Sequence, residues 1–206
     1  MNEFQKSLAE LKIVPVVTPY TVQSTIEMTK AMVAGGIGSV EITLRTDCAW
    51  DAIKAVQDLG LPVKVGVGTI TNANLFAQAE AIQADFAVSP GISNKLLARS
   101  EGSLLPLLPG IATASELMQG MDYGISTFKL FPAMAINAPA LLSSFAGPFP
   151  EIKFCPTGGV TTENAAGLLA RPNVVCVGGS WMVSKSLVES GDWSEISRIS
   201  AAAMAI

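Results

Sequence analysis

Short apolar, β-branched runs alternate with amphipathic segments along the whole chain, and the alternation repeats eight times. The apolar runs are "KIVPVVT", "SVEITLR", "VKVGVGT", "DFAVSPG", "LLPLLPG", "TFKLFPA", "KFCPTGG" and "VVCVGGS". Nearly all of them end in Gly, Pro, Thr or Ser, which predicts strands closed by tight turns. Between them, segments such as "TVQSTIEMTKAMVAG", "CAWDAIKAVQDLG", "NANLFAQAEAIQA" and "TASELMQGMDYG" read as amphipathic helices. Strand centres recur every roughly 20 to 26 residues, which suits repeated βα units with very short loops. Eight such units predict an α/β fold, a compact (β/α)8 TIM barrel formed as one domain over residues 1–206. An open doubly wound sheet fits the same alternation, which does not by itself require closure.

Side chains alternate across a strand, so parity assigns faces. In "VEITLR", Val40, Ile42 and Leu44 share one face and Glu41, Thr43 and Arg45 the other. In "TFKLF", Phe128 and Leu130 share one face and Thr127, Lys129 and Phe131 the other. The apolar faces belong under the helices. Glu41, Arg45 and Lys129 are therefore expected to point into one small, poorly hydrated interior. The turn residues "GVGT", "VSPG", "LLPG", "FPA", "PTGG" and "VGGS" fall at the C-terminal strand ends, where barrel active sites are built. Any one of them is ordinary turn chemistry; at so many corresponding positions they predict a ligand-facing rim.

Composition narrows the chemistry. Half of the residues are hydrophobic and 15% are charged, which is enough to bury a substantial core. The net charge of −4 argues against a nucleic-acid footprint, which needs clustered Lys and Arg. The N-terminal "MNEFQKSLAELK" lacks the apolar core of a signal peptide, and the apolar runs are too short for a membrane span. Cys48, Cys155 and Cys176 are an odd count without a C-x-x-C pair, so they read as buried, reduced thiols in a cytoplasm. The chain contains no histidine. That removes Ser-His-Asp and Cys-His catalysis and His-based zinc sites, and no metal or cofactor is expected.

What is left is Lys, Arg, carboxylates, hydroxyls and backbone dipoles. A neutral lysine attacks a ketone to form an iminium, an electron sink for breaking the adjacent carbon–carbon bond. Burial and a neighbouring cation favour a neutral amine, whereas a carboxylate favours the ammonium. Lys129 is the candidate nucleophile, Glu41 the proton carrier, and Arg45 a bidentate grip for a substrate carboxylate. A buried Glu41–Lys129 salt bridge that only defines the core is the plainer alternative. "PTGGVTTEN" and "VGGSW" place glycine pairs after the seventh and eighth strands, where barrels frequently bind phosphate.

The motifs "VEITLRT", "GVGT", "SPG", "PGIATASELMQGMDYG", "FKLFPA", "FCPTGGV" and "GGSWMV" resemble the 2-keto-3-deoxy-6-phosphogluconate (KDPG) aldolases, also active as 4-hydroxy-2-oxoglutarate (KHG) aldolases. The match runs in order from about Ile13 to Val183. The resemblance implies a (β/α)8 barrel, a homotrimer, and a metal-free lysine Schiff-base aldolase acting on a phosphorylated keto acid. Carried onto this chain, Lys129 forms the iminium and Glu41 shuttles protons. Arg45 and Thr69 hold the pyruvate carboxylate, and Pro90 and Phe131 shape the pocket. Thr157, Gly158, Gly159, Gly179 and Ser180 surround the distal end with its phosphate. The chain departs from the family motif after the lysine strand, reading "FPAMAINAP" where members often continue "FPAEANGG". Met134 thus stands in place of a carboxylate. An aldolase for the galactonate epimer, a phosphosugar isomerase using Glu41 as base, and a non-catalytic sugar-acid phosphate binder are the competing readings.

Overall fold

The computed structural model describes residues 1–206. Its strands coincide with the eight apolar runs. They are β1 (Ile13–Val17), β2 (Ser39–Thr43), β3 (Lys64–Gly68), β4 (Phe86–Val88), β5 (Leu107–Leu108), β6 (Gly110–Ile111), β7 (Thr127–Leu130), β8 (Lys153–Pro156) and β9 (Val177–Gly179). The fifth run yields two strands because Pro109, which has no N–H, interrupts the ladder. Before the break, Ser89 N–H on the β4 side donates to Leu108 O; at the break, Lys129 N–H donates to Pro109 O at 2.9 Å. One short run therefore hands its carbonyls from one neighbour to the next.

All pairings are parallel. A six-stranded sheet has the order β5-β4-β3-β2-β1-β9, and a three-stranded sheet the order β6-β7-β8. Isolated parallel bridges, Phe154 to Val174 and Thr157 to Gly178, link β8 to the β9 side. The result is a curled parallel α/β sheet.

One helix precedes β1, and the others follow later strands. They include α1 (Glu3–Leu11), α2 (Val22–Ala34), α3 (Ala49–Asp58), α4 (Ala73–Ala81), α5 (Asn94–Ser100), α6 (Ala114–Met121), α7 (Ala138–Phe145), α8 (Thr162–Leu169), α9 (Lys185–Ser190) and α10 (Trp193–Met204). Several start on the expected capping chemistry: Thr21, Asn72, Ser93 and Thr113 each accept from the backbone N–H three residues on. No helix is long and apolar enough to cross a membrane.

The core is divided by strand parity. Val40, Ile42, Phe128 and Leu130 join the larger cluster, under the helices. Val14, Phe86, Val88, Leu108, Cys155 and Cys176 form a second cluster inside the curl, together with Leu8 of α1. The N-terminal segment, which carried no helix expectation, is thus an Asn2-capped helix whose Leu8 joins the interior cluster. In α10, Ile196, Ser200 and Ala203 are buried, and Gly35 lets α2 approach Ser197 and Ser200 closely.

Candidate active site

Glu41 and Lys129 meet inside the curl. Lys129 Nζ lies 3.3 Å from Glu41 Oε1, and their side chains are only 5% and 3% exposed. Burial of both charges is tolerable because each compensates the other, although such pairs add little net stability. The ammonium also lies 5.2 Å from the centroid of the Phe131 ring, within cation–π range. The parity reading therefore placed these two side chains on the correct face.

Lys129 borders a cavity of about 250 Å3, which Glu41, behind it, does not line. Its walls include eight of the expected residues: Arg45, Lys129, Phe131, Thr157, Gly158, Gly159, Gly179 and Ser180. They come from the C-terminal ends of β2, β7, β8 and β9, the rim predicted from the turn residues. Arg45 needs a correction. β2 ends at Thr43, so Arg45 lies beyond the strand and is exposed at the mouth, not in a dry interior. Its guanidinium forms no ion pair with the protein, and Arg45 is one of the residues lining the cavity.

Thr69 and Pro90 are not among the residues lining that cavity. Thr69, half-buried, follows β3 with φ 66°, a left-handed backbone unusual for a β-branched residue. Pro90 is exposed and borders a separate cavity of about 200 Å3 with Ile70 and Ser93. A larger cavity of about 380 Å3, near α1 and the N-terminal strand ends, holds no part of this constellation.

Three lining residues escaped the sequence reading: Val16, Val160 and Trp181. Val16 was accessible to the parity argument, since it pairs directly with Glu41 across β1 and β2. Trp181 packs against Gly179, and its indole Nε1 is buried without a hydrogen-bond partner. No periodic signal marks a residue in the single 3-10 turn of Trp181–Val183.

A glycine makes room for the acid. A Cβ on Gly68 would clash with Oε1, Cγ and Cδ of Glu41. Gly68→Ala is therefore expected to displace the carboxylate from Lys129 and to lower kcat by about 100-fold, the scale of an ångström of misplacement. Steady-state kinetics beside a crystal structure checks this; normal kcat with Glu41 displaced would dissociate the pair from turnover.

At the distal end, Gly158 and Gly159 adopt φ of 99° and 76°, which frees their backbone for a close approach. The start of α8 is less open to a ligand than expected. Asn164 Oδ1 accepts from Thr161 N–H at 2.9 Å, and Asn164 Nδ2 donates to Gly159 O at 3.1 Å. The three cysteines are free, but only Cys155 and Cys176 are buried; Cys48 is half-buried. Distant in sequence, Cys155 and Cys176 share the interior cluster. The Cys176 thiol is pushed well up by its hydrogen bond to Cys155 and by burial, which keeps it protonated. No group of three or more His, Cys, Asp or Glu side chains is placed to hold a metal ion.

The family model for KDPG and KHG aldolase matches residues 4–199. The chain belongs to this family. It is 45% identical to the 2-dehydro-3-deoxy-phosphogluconate aldolase of Pseudomonas aeruginosa, over 95% of this chain and 89% of that one. It is 43% identical to the KHG/KDPG aldolase of Escherichia coli K12, over 91% and 88% of the two chains. Among solved structures, the KDPG aldolase of Legionella pneumophila, with pyruvate captured as a covalent carbinolamine, superposes with a TM-score of 0.94. That match covers 98% of both chains at 36% identity. Family membership of this extent agrees with the lysine–carboxylate chemistry read from the strands.

Proposed function

We propose that this chain is a class I aldolase that cleaves 2-keto-3-deoxy-6-phosphogluconate to pyruvate and glyceraldehyde 3-phosphate through a Schiff base on Lys129. The observation that carries the reading is the buried Lys129–Glu41 pair, 3.3 Å apart, whose lysine lines a cavity with the Arg45 guanidinium at its mouth. The named aldolase relatives, and the carbinolamine in the Legionella neighbour, support the same chemistry.

The roles follow from placement. Lys129 Nζ, as the neutral amine, adds to the C2 ketone of the substrate; the resulting carbinolamine loses water to give the iminium. Glu41, directly or through one water, supplies and removes the protons of these steps. It next takes the proton of the C4 hydroxyl. The C3–C4 electron pair then moves into the iminium, giving an enamine and releasing the aldehyde. Protonation of the enamine at C3 and hydrolysis of the iminium release pyruvate and restore the amine. Arg45 pairs with the C1 carboxylate in a two-point contact, assisted by Thr69. Phe131 and Pro90 shape the pyruvate pocket, and Thr157, Gly158, Gly159, Gly179 and Ser180 receive the phosphorylated end.

The same site accommodates 4-hydroxy-2-oxoglutarate, cleaved to pyruvate and glyoxylate by the same sequence of bonds. We further propose that the two sheets and their bridges make one (β/α)8 barrel within a single domain, assembled as a homotrimer in the cytoplasm. The curl, the bridge from Thr157 to Gly178 and the bond from Lys129 N–H to Pro109 O support closure.

Borohydride reduction in the presence of pyruvate tests the function. Intact mass and peptide mapping are expected to find one reduced pyruvate adduct, on Lys129. A folded protein that acquires no adduct in excess pyruvate would sink the aldolase reading and favour an isomerase using Glu41 as base.

A further inference from the structure

Two buried thiols stand beside Lys129, and the proposed chemistry uses neither. Cys155 on β8 is the direct strand partner of Lys129 on β7, and its side chain shares the interior cluster with that of Cys176. The parallel bridges Phe154 to Val174 and Thr157 to Gly178 bracket both cysteines. Each stands two residues before the second bridge, so the two are abreast on neighbouring strands. Such strands run about 4.8 Å apart, inside the roughly 4.4 to 6.8 Å over which a disulfide joins two Cα atoms. The two thiols already interact as hydrogen-bond partners. Cys155 Sγ also lies 3.7 Å from Thr157 Oγ1, and Thr157 lines the cavity with Lys129. One side chain therefore separates the pair from the site. The Cys155 thiol is pulled below its usual range by the hydrogen bond from Cys176, then by Thr157 and the Lys129 charge, against burial and Glu41. The third thiol is elsewhere: Cys48 Sγ donates to Pro19 O at 3.3 Å.

We propose that Cys155 and Cys176 are a redox modification site, a dithiol that hydrogen peroxide converts to a disulfide, and that the crosslink slows turnover at Lys129. Peroxide is little larger than water and fits the cavity beside Thr157. The Cys155 thiolate attacks one peroxide oxygen; the O–O bond breaks, and the departing hydroxide takes up a proton. The Cys176 sulfur then attacks the sulfenic acid, the S–O bond breaks, and water leaves with the Cys176 proton. Two thiols lose two electrons in all, and one peroxide becomes two waters. The bond draws β8 towards β9 where there is little slack, since a Cβ on Gly178 would clash with Thr157 Oγ1. It also pulls on the strand partner of Lys129. The effect on turnover rests on the aldolase reading; the crosslink itself does not.

The test exposes the folded chain to hydrogen peroxide and measures kcat on the phosphorylated substrate. The protein is then unfolded, its remaining thiols are alkylated, and its peptides are mapped. Cys155 and Cys176 are expected in one crosslinked peptide pair, about 2 Da lighter than the two thiol peptides together. Turnover should fall by about tenfold or more, the direction expected when reacting groups are misplaced. Dithiothreitol should restore both thiols and the rate, which it does not do for methionine sulfoxide. Cys48→Ala should respond as the wild type does, which removes the third thiol as the cause. Cys155 and Cys176 both recovered as alkylated thiols, or oxidised separately without a crosslink, would overturn the inference. So would a crosslink that left kcat unchanged. If the untreated protein turned over no substrate, the aldolase reading would fail separately. The peptide map then decides the modification site: the Cys155–Cys176 crosslink supports it, and its absence overturns it.

Discussion

Exchanging Lys129 for arginine is expected to lower turnover by roughly 10,000-fold or more, the scale reached when a covalent nucleophile is removed. The substitution preserves what a purely structural lysine would supply. A guanidinium keeps a positive charge facing Glu41 and can still lie over the Phe131 ring. The adjoining cavity of about 250 Å3 gives its additional atoms room. What it cannot do is lose its proton and attack a ketone. Pyruvate release from the phosphorylated substrate, followed in a coupled assay, gives the rate; borohydride trapping and a melting curve accompany it. Loss of both turnover and adduct with a near-normal melting temperature is the expected pattern. A variant that kept a tenth of the wild-type rate would exclude Lys129 as the nucleophile.

A large effect on stability is expected from breaking the same pair unevenly. Lys129→Met leaves Glu41, almost fully buried, without a counter-charge, and removing one partner of a buried ion pair costs about 3–5 kcal/mol. Adding Glu41→Gln to that variant removes the uncompensated charge and should recover most of the loss, although the double variant is inactive. Urea unfolding of the wild type, both single variants and the double variant closes the cycle. The expected signature is a coupling energy of several kcal/mol between positions that lie 88 residues apart in sequence. Additive effects would mean that the two charges are solvated separately in solution.

The legible part of this protein was its alternation. β-branched runs of fixed spacing could hardly be anything but strands in βα units, and parity alone sent Glu41 and Lys129 to the inner face. Pro109 was visible, but its consequence was not: whether a proline ends a strand or divides it depends on which neighbour needs the next carbonyl. Arg45 was misjudged because parity holds only while the chain stays extended, and β2 stops at Thr43. Thr69 and Pro90 rest on resemblance, since neither lines the cavity with Lys129. The role of α1 was invisible for another reason. A short amphipathic helix carries no mark of which end of a sheet its apolar face will meet.

The missing side chain at Gly68 bears on how portable this chemistry is. An engineer who transplants a reactive lysine and its acid onto another parallel scaffold would ordinarily graft two side chains and choose their rotamers. Here the acid occupies space that a third strand position has vacated, so the transferable unit has three members, one of them defined by what it lacks. A recipient scaffold with alanine at the third position would accept both grafted side chains in sequence and still hold them apart in space.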